Sequence, residues 1–454
     1  MPQGVPQFRS RLRYSRMGTE MAWVVLGQVV AAAGGFVGVR VLTEILTTER
    51  YGQLALGITL GTLGQLTAWS PISAAVLRYF SAAQEMVQVR AYLDAVRRLL
   101  FRATLAVVGV GLIVVAALTA LGAGRWTGLA LAALLFTLLS GYESALDSMQ
   151  LAGRQRRVVA WHQGLGTWLR FLLAVALISL FGSSSTVAMV GFSAGVLLVL
   201  ASQMYFFRRR VLSLEPRPSP PANAGDSTVL VRRMTQYAWP VAAWGVFSWT
   251  QAVSDRWILQ AFTTTAVVGV YSVLAQVGFY PMTLFSAVTL QFVSPVLFER
   301  AGDGSEPERL DDASRLVVVV VALTLGVTVM ATIASWILHP VIFAVVVGAD
   351  YRAVSHLLPW MVCAGGLFAA GQAASQVMLL AGTTKQLIAP KGVIALVTLA
   401  AYALGAHLRG IEGVVYANVM FGALYFGWMS SLASRWRTGA LPTMLRGPTR
   451  ERIA

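Results

Sequence analysis

The chain has 454 residues, 57% hydrophobic and only 12% charged, about half the charge of a soluble globular protein, so its solvent is expected to be mostly lipid. A net charge of +16 would suit a nucleic-acid surface only if the cations gathered on one water-facing side with base-reading or stacking side chains; here they sit in short clusters between apolar runs, which excludes that reading. The single cysteine, Cys363, excludes an internal disulfide or a thiolate-rich zinc site, and His162, His339, His356 and His407 are scattered without ligand spacing.

Met1 to Glu20 is basic and polar, and the apolar run after it is followed by many others, so a retained first helix is expected rather than a cleaved signal peptide. A spanning helix needs about 20 mostly apolar residues, because each rises about 1.5 Å through a hydrocarbon layer about 30 Å thick. That ruler predicts about twelve spans: Met21 to Leu46, Gly52 to Leu77, Leu100 to Leu121, Thr127 to Leu151, Val158 to Phe181, Ser185 to Phe206, Thr235 to Phe262, Val267 to Leu297, Leu316 to Leu338, Leu357 to Leu380, Leu387 to His407 and Val414 to Ser434. After the ninth, the short apolar piece Val341 to Val347 is expected to be re-entrant or interfacial.

Charge tests this count independently, since cytoplasmic loops accumulate Lys and Arg. Taken alternately, the loops place about 28 cations on one side, from Arg9 through Arg78, Arg154, Arg208, Arg300 and Lys385 to Arg452, against Arg50, Arg125, Arg352 and Arg409 on the other. Both termini are therefore expected in the cytoplasm. A miscounted helix would scramble the alternation.

The longest polar connection, Arg208 to Ser227, is rich in proline and serine and reads as a flexible linker. The expected organisation is an N-terminal lobe at 1–207 (spans 1–6), a cytoplasmic linker at 208–232 and a C-terminal lobe at 233–454 (spans 7–12). A repeat supports the halving: Met149-Gln150-Leu151-Ala152-Gly153 matches Met378-Leu379-Leu380-Ala381-Gly382, and Arg40 followed by Thr47-Thr48 matches Arg256 followed by Thr263-Thr264. Both matches keep their orientation, the pattern of a parallel repeat. The fold class is thus an all-α polytopic membrane protein of two six-helix lobes, related by a pseudo-two-fold axis along the membrane normal.

A charge inside a span costs about 2.5–3.5 kcal/mol on insertion scales, so it faces a partner or a watery cavity. Arg40, Glu143, Asp147, Arg170, Asp255 and Arg256 are the candidates. Glu143 and Asp147 are four apart and share one helix face; the short loop after the fourth span brings Arg170 to the depth of Glu143, and His162 to that of Asp147. A Glu143–Arg170 pair and a weaker Asp147–His162 pair are expected, serving either helix packing or a coupling-cation or head-group site. The repeat offset sets Gln372 and Gln376 opposite the two acids in the second half, so any coupling by ion points to the first. Arg40 with Glu44, and Arg256 with Asp255, lie in the outer halves of their spans; the arginines either snorkel to the interface or line a central cleft for an anionic head group. Arg78 marks the inner mouth of the second span as anchor or ligand. Pro71, Pro240, Pro281 and Pro295 interrupt their spans and kink them. Trp239, Trp244, Trp249 and Trp257 suit an interfacial belt or a sugar-stacking wall.

Val41-Leu42-Thr43 through Glu49-Arg50-Tyr51-Gly52-Gln53 resembles the first-helix signature of polysaccharide-biosynthesis and lipid-linked oligosaccharide flippases. Tyr237-Ala238-Trp239-Pro240, Asp255-Arg256-Trp257-Ile258-Leu259 and Val268-Gly269-Val270-Tyr271 resemble the opening of their second half. Membership of that family, in the multidrug/oligosaccharidyl-lipid/polysaccharide exporter superfamily, implies two lobes rocking around a cleft. It also implies a polyprenyl-pyrophosphate-linked oligosaccharide as cargo, carried from the inner to the outer leaflet of a bacterial cytoplasmic membrane for surface polysaccharide assembly, beside polysaccharide polymerase machinery. The cationic cleft of the family is assigned here to Arg40, Arg78, Arg170 and Arg256, and Glu143, Asp147 and Asp255 to ion coupling, by H+ or Na+, or to structural ion pairs. The near absence of lysine and the Glu143/Asp147 pair depart from the family pattern. A multidrug/cation antiporter of the same superfamily is the alternative reading, and an intramembrane polymerase or glycosyltransferase would need a catalytic loop or clustered acids that the sequence does not display. No GxxxxGK[ST] loop occurs, so ATP hydrolysis is not expected, and neither cofactor nor metal is called for.

Overall fold

The structure is a computed structural model and describes residues 5–85, 89–153, 155–210, 224–302, 306–381 and 383–437. Among these residues the secondary structure is helical, without a strand, as lipid requires of a chain that must satisfy its backbone polar groups within each segment. The α-helices are α1 (Val5–Ile45), α2 (Thr48–Gly64), α3 (Ser70–Glu85), α4 (Val89–Ala120), α5 (Thr127–Ala152), α6 (Arg156–Phe181), α7 (Ser185–Arg210), α8 (Ala224–Phe262), α9 (Thr265–Ala301), α10 (Pro307–Val346), α11 (Leu358–Ala374), α12 (Gln376–Leu380), α13 (Ile388–Arg409) and α14 (Ile411–Arg437). Only a π turn separates α2 from α3, and only Ser375 separates α11 from α12, so the described residues make twelve rods. Nine rods contain a stretch long and apolar enough to cross a membrane; α2–α3, α8 and α14 dilute theirs with Gly, Thr, Ser, Trp and Tyr.

Most rods outrun the hydrocarbon, carrying their arginines on extra helical turns. This shortens the expected linker at 208–232: α7 continues through Arg210 and α8 starts at Ala224, while residues 211–223 lie outside the described residues. The expectation of a re-entrant or interfacial piece at Val341–Val347 is corrected. α10 runs through Pro340 to Val346, because a proline forfeits one hydrogen bond without forcing the chain to leave the helix. Beyond it the Arg352 guanidinium donates to the Ala344 and Val347 carbonyls at 3.3 and 3.4 Å, capping the negative end of α10.

Contacts divide the chain into two compact units, Met1–Val253 and Ser254–Ala454, so that α8 contributes to both. In the first, α5 packs on α7 and on α2–α3, and α6 packs on α7. The second repeats this order, with α11 on α14 and α9, and α13 on α14. The first core is built around Trp69, Tyr92, Val96, Phe207 and Met234. The second is built around Leu297, Val317, Met378, Phe421 and Tyr425.

Pro71 shapes the first unit. Lacking an N–H, it leaves the turn before it free to widen, and residues Gln65–Trp69 form a π turn closed by Ser70 N–H donating to the Gln65 carbonyl. On that turn rests Gly245 of α8, where any Cβ would collide with the Leu66 carbonyl. One turn further, the Trp249 indole donates to the Thr59 carbonyl at 2.7 Å. Trp249 is therefore a clasp between α8 and α2, not part of an interfacial belt.

Candidate functional site

In the first unit the charged group is assembled by three helices. Glu143 and Asp147 project from the same face of α5, one turn apart, as their spacing requires. Arg170 arrives on α6, whose backbone is gripped by α7: Gly191 and Gly195, four apart, let α7 approach until a Cβ at Gly195 would lie 2.7 Å from Arg170 Cα. Small residues at that spacing allow helices to pack backbone to backbone in lipid. The Arg170 Nη2 donates to Glu143 Oε2 at 2.6 Å, with the Arg170 side chain 31% exposed and Glu143 8%. The expected Glu143–Arg170 pair is present.

The expected Asp147–His162 pair is not formed. Asp147 accepts instead from Gln203 of α7 at 2.7 Å and from Gln163 of α6 at 3.2 Å, while His162 contacts the Ser202 hydroxyl at 3.0 Å and the Val158 carbonyl at 2.8 Å. The residue next to His162 reaches the acid, because one residue along a helix turns a side chain by about 100°, enough to put Gln163 rather than His162 on Asp147. Gln150 then donates to the Gln203 carbonyl at 3.2 Å, holding that helix end in place. Gln163 and Gln203 carry no charge, so nothing in the sequence marks them as partners of an intramembrane acid.

The second unit buries a different network. Asp255 and Arg256 on α8 are 8% and 5% exposed. Arg256 donates to Asp255 through its backbone N–H at 2.8 Å and its guanidinium at 3.2 Å, and to the Tyr280 hydroxyl of α9 at 2.9 Å. The Tyr271 hydroxyl, also on α9, donates to the other Asp255 oxygen. Asn418 of α14 donates to Tyr271 at 2.8 Å and accepts from Tyr402 of α13 at 2.9 Å. Arg256 thus does not snorkel; it is buried and held by Asp255 of α8 and Tyr280 of α9, in a network that reaches α13 and α14 through Tyr271. Tyr280, Tyr402 and Asn418 carry no charge and lie far apart in the chain, and Tyr271 stands out in the sequence only within Val268-Gly269-Val270-Tyr271, so none of the four signals this network in advance.

The other two candidates have simpler settings. Arg40 pairs with Glu44 one turn along α1 at 2.7 Å. Arg78 is exposed, its guanidinium 4.7 Å from the ring centre of Tyr237 on α8, a cation–π contact. Among the described residues no three His, Cys, Asp or Glu side chains converge as a metal site would require.

Over residues 17–300 the sequence matches a family described as polysaccharide biosynthesis protein. The chain belongs to that family. No curated protein matches it by sequence. Solved structures share its fold at low identity. The lipid II flippase MurJ, in an inward closed conformation, aligns with a TM-score of 0.66 at 14% identity, covering 93% of this chain and 88% of that one. An outward-facing multidrug resistance MATE family transporter of the MOP superfamily aligns at 0.57 and 14%, covering 92% and 93%. The Vibrio cholerae MATE transporter VcmN in its bent form aligns at 0.51 and 15%, covering 94% and 96%. This polysaccharide biosynthesis family member is thus a multi-pass membrane protein with the two-lobed helical fold of that superfamily, whose name abbreviates the exporter superfamily expected from the sequence.

Proposed function

We propose that the chain is a flippase that moves a polyprenyl-pyrophosphate-linked anionic oligosaccharide from the inner to the outer leaflet of a bacterial cytoplasmic membrane, by alternating access, with both termini in the cytoplasm. The observation that carries this reading is the Glu143–Arg170 pair: in a member of a polysaccharide biosynthesis family, an arginine within a span keeps 31% of its side chain open while a buried carboxylate holds it. Such a guanidinium is preorganised to exchange one anion, the carboxylate, for another, a phosphate or acidic sugar. Arg170, Arg40 and Arg78 form the cationic set in this reading. Arg256, buried and engaged with Asp255 and Tyr280, acts as a positioning residue for the second unit.

Asp147 is the favoured site for a coupling H+ or Na+, because its oxygens face neutral amides rather than a cation. Polysaccharide polymerase machinery is the expected downstream partner. A second reading, an ion-coupled multidrug/cation antiporter, draws on the same observation that no cation pairs with Asp147 among the described residues and on the shared fold of MATE transporters. Purified protein in liposomes carrying a fluorescent undecaprenyl-pyrophosphate glycan distinguishes them. Flipping that slows in Arg170→Ala supports the flippase; dye efflux without glycan movement supports the antiporter.

A further inference from the structure

Two cavities of about 700 and about 560 Å³ open side by side on the first unit and meet at Arg102. One is lined by Asp94, Arg97, Arg98, Phe101 and Arg102 of α4 with Tyr142 of α5. The other is lined by Arg102 and the early turns of α8, including Thr228, Arg232, Thr235 and Trp239. Arg98, in the lining of the first, donates to Thr228, in the lining of the second, at 3.5 Å and so links the two helices. Among the described lining residues, four arginines, Arg97, Arg98, Arg102 and Arg232, therefore stand against one carboxylate, Asp94.

Arginines that merely keep a loop on the cytoplasmic side need no cavity around them. Here they line two, at the polar end of the long apolar run of α4. Arg102 is the last charge on α4 before its long apolar run, and the neighbouring Phe101, Leu105 and Trp239 are 60%, 56% and 71% exposed. A ligand that meets guanidinium groups at one end and a bare apolar skirt at the other carries a phosphate and a hydrocarbon chain. We infer that this paired cavity binds the phosphate head group of a membrane lipid in the cytoplasmic leaflet, with its chain laid along Phe101, Leu105 and Trp239. The occupant is either a resident anionic phospholipid or an isoprenoid diphosphate, which share this chemistry. The inference stands whether the chain flips glycans or exports drugs.

The test uses the full chain in nanodiscs of phosphatidylcholine, with native mass spectrometry counting retained phosphatidylglycerol and, separately, undecaprenyl diphosphate. Each arginine near an anionic head group contributes about a factor of five, so the R98Q/R102Q/R232Q variant is expected to weaken retention roughly a hundredfold. R102K, which keeps the charge, is expected to retain binding and so to separate lost charge from lost fold. Retention of phosphatidylglycerol alone identifies a resident lipid, and retention of the diphosphate alone identifies a gathering point for isoprenoid cargo; loss of either in the triple variant supports the site. Equal retention by the triple variant and the natural protein overturns it. An equal loss in R300Q/R309Q, which alters the separate pocket formed by Glu299, Arg300, Glu308, Arg309 and Asp312, also overturns it, since bulk charge would then suffice. Because retention is read without translocation, this outcome is independent of the flipping assay.

Discussion

Arg170 of α6 and Glu143 of α5 meet at 2.6 Å although 27 residues separate them. Two ionised groups at membrane depth are tolerable together and costly apart. α7, through Gly191 and Gly195, packs directly on the α6 backbone at Ala174 and Arg170, beside the pair.

Removing one partner should therefore harm more than removing both. Arg170→Ala is expected to lower stability by about 3 kcal/mol by stranding the buried carboxylate. Adding Glu143→Leu to it is expected to restore most of that loss. Chemical denaturation of the single and double variants in detergent measures the difference, and additive losses would show that the two side chains do not interact.

Asp147 accepts from two glutamine amides, so Asp147→Asn keeps the shape but puts its own NH2 against a donor. If this carboxylate carries the coupling ion, the variant should lose gradient-driven transport while downhill exchange continues. Proteoliposomes with and without an imposed H+ or Na+ gradient distinguish the cases. Undiminished gradient dependence would move the coupling site elsewhere.

Asn418 is the hub of the second network, bonded to Tyr271, Tyr402 and the Val414 carbonyl. Asn418→Ala should leave the Tyr402 hydroxyl buried without its acceptor, at about 1–3 kcal/mol. Tyr402→Phe added to it removes that orphaned group and should recover part of the loss. Thermal unfolding followed by tryptophan fluorescence reports both changes.

Gly245 lies where α8 touches the π turn. Gly245→Val should force the helices apart and cost about 1–3 kcal/mol, as overpacking does. Gly427, whose Cβ would meet nothing within 4 Å, provides the control: Gly427→Ala should leave the unfolding midpoint nearly unchanged.

The topology is tested through the single cysteine. With Cys363→Ser as background, a cysteine placed at Ser183, between α6 and α7, is expected to react with a membrane-impermeant maleimide in intact cells. One placed at Ser434, near the end of α14, should react only after permeabilisation. The reverse pattern would invert the orientation read from the arginines.

Much of the architecture was legible because lipid imposes strong rules on composition. The apolar runs gave rods close to those observed, and α5, predicted from Thr127 to Leu151, spans Thr127–Ala152. Hydropathy could not find where α8 or α10 begins, since their first turns are polar and their helical state depends on hydrogen bonds within the rod rather than on contact with lipid. It also misread Val341–Val347, where the helix persists past Pro340. The Glu143–Arg170 pair was foreseeable because helical rise fixes depth along antiparallel neighbours.

What the sequence determined alone was the membrane class, the succession of rods and the matching level of Glu143 and Arg170, all of which follow from local composition and a constant rise per residue. Only the tertiary structure decided azimuth: that Gln163 and Gln203, not His162, satisfy Asp147, and that Tyr271, Tyr280 and Asn418 close around Asp255 and Arg256. Which way a side chain points depends on how each helix is rotated against its neighbours. That rotation is set by the summed packing of small residues from distant parts of the chain, which no single stretch of sequence contains.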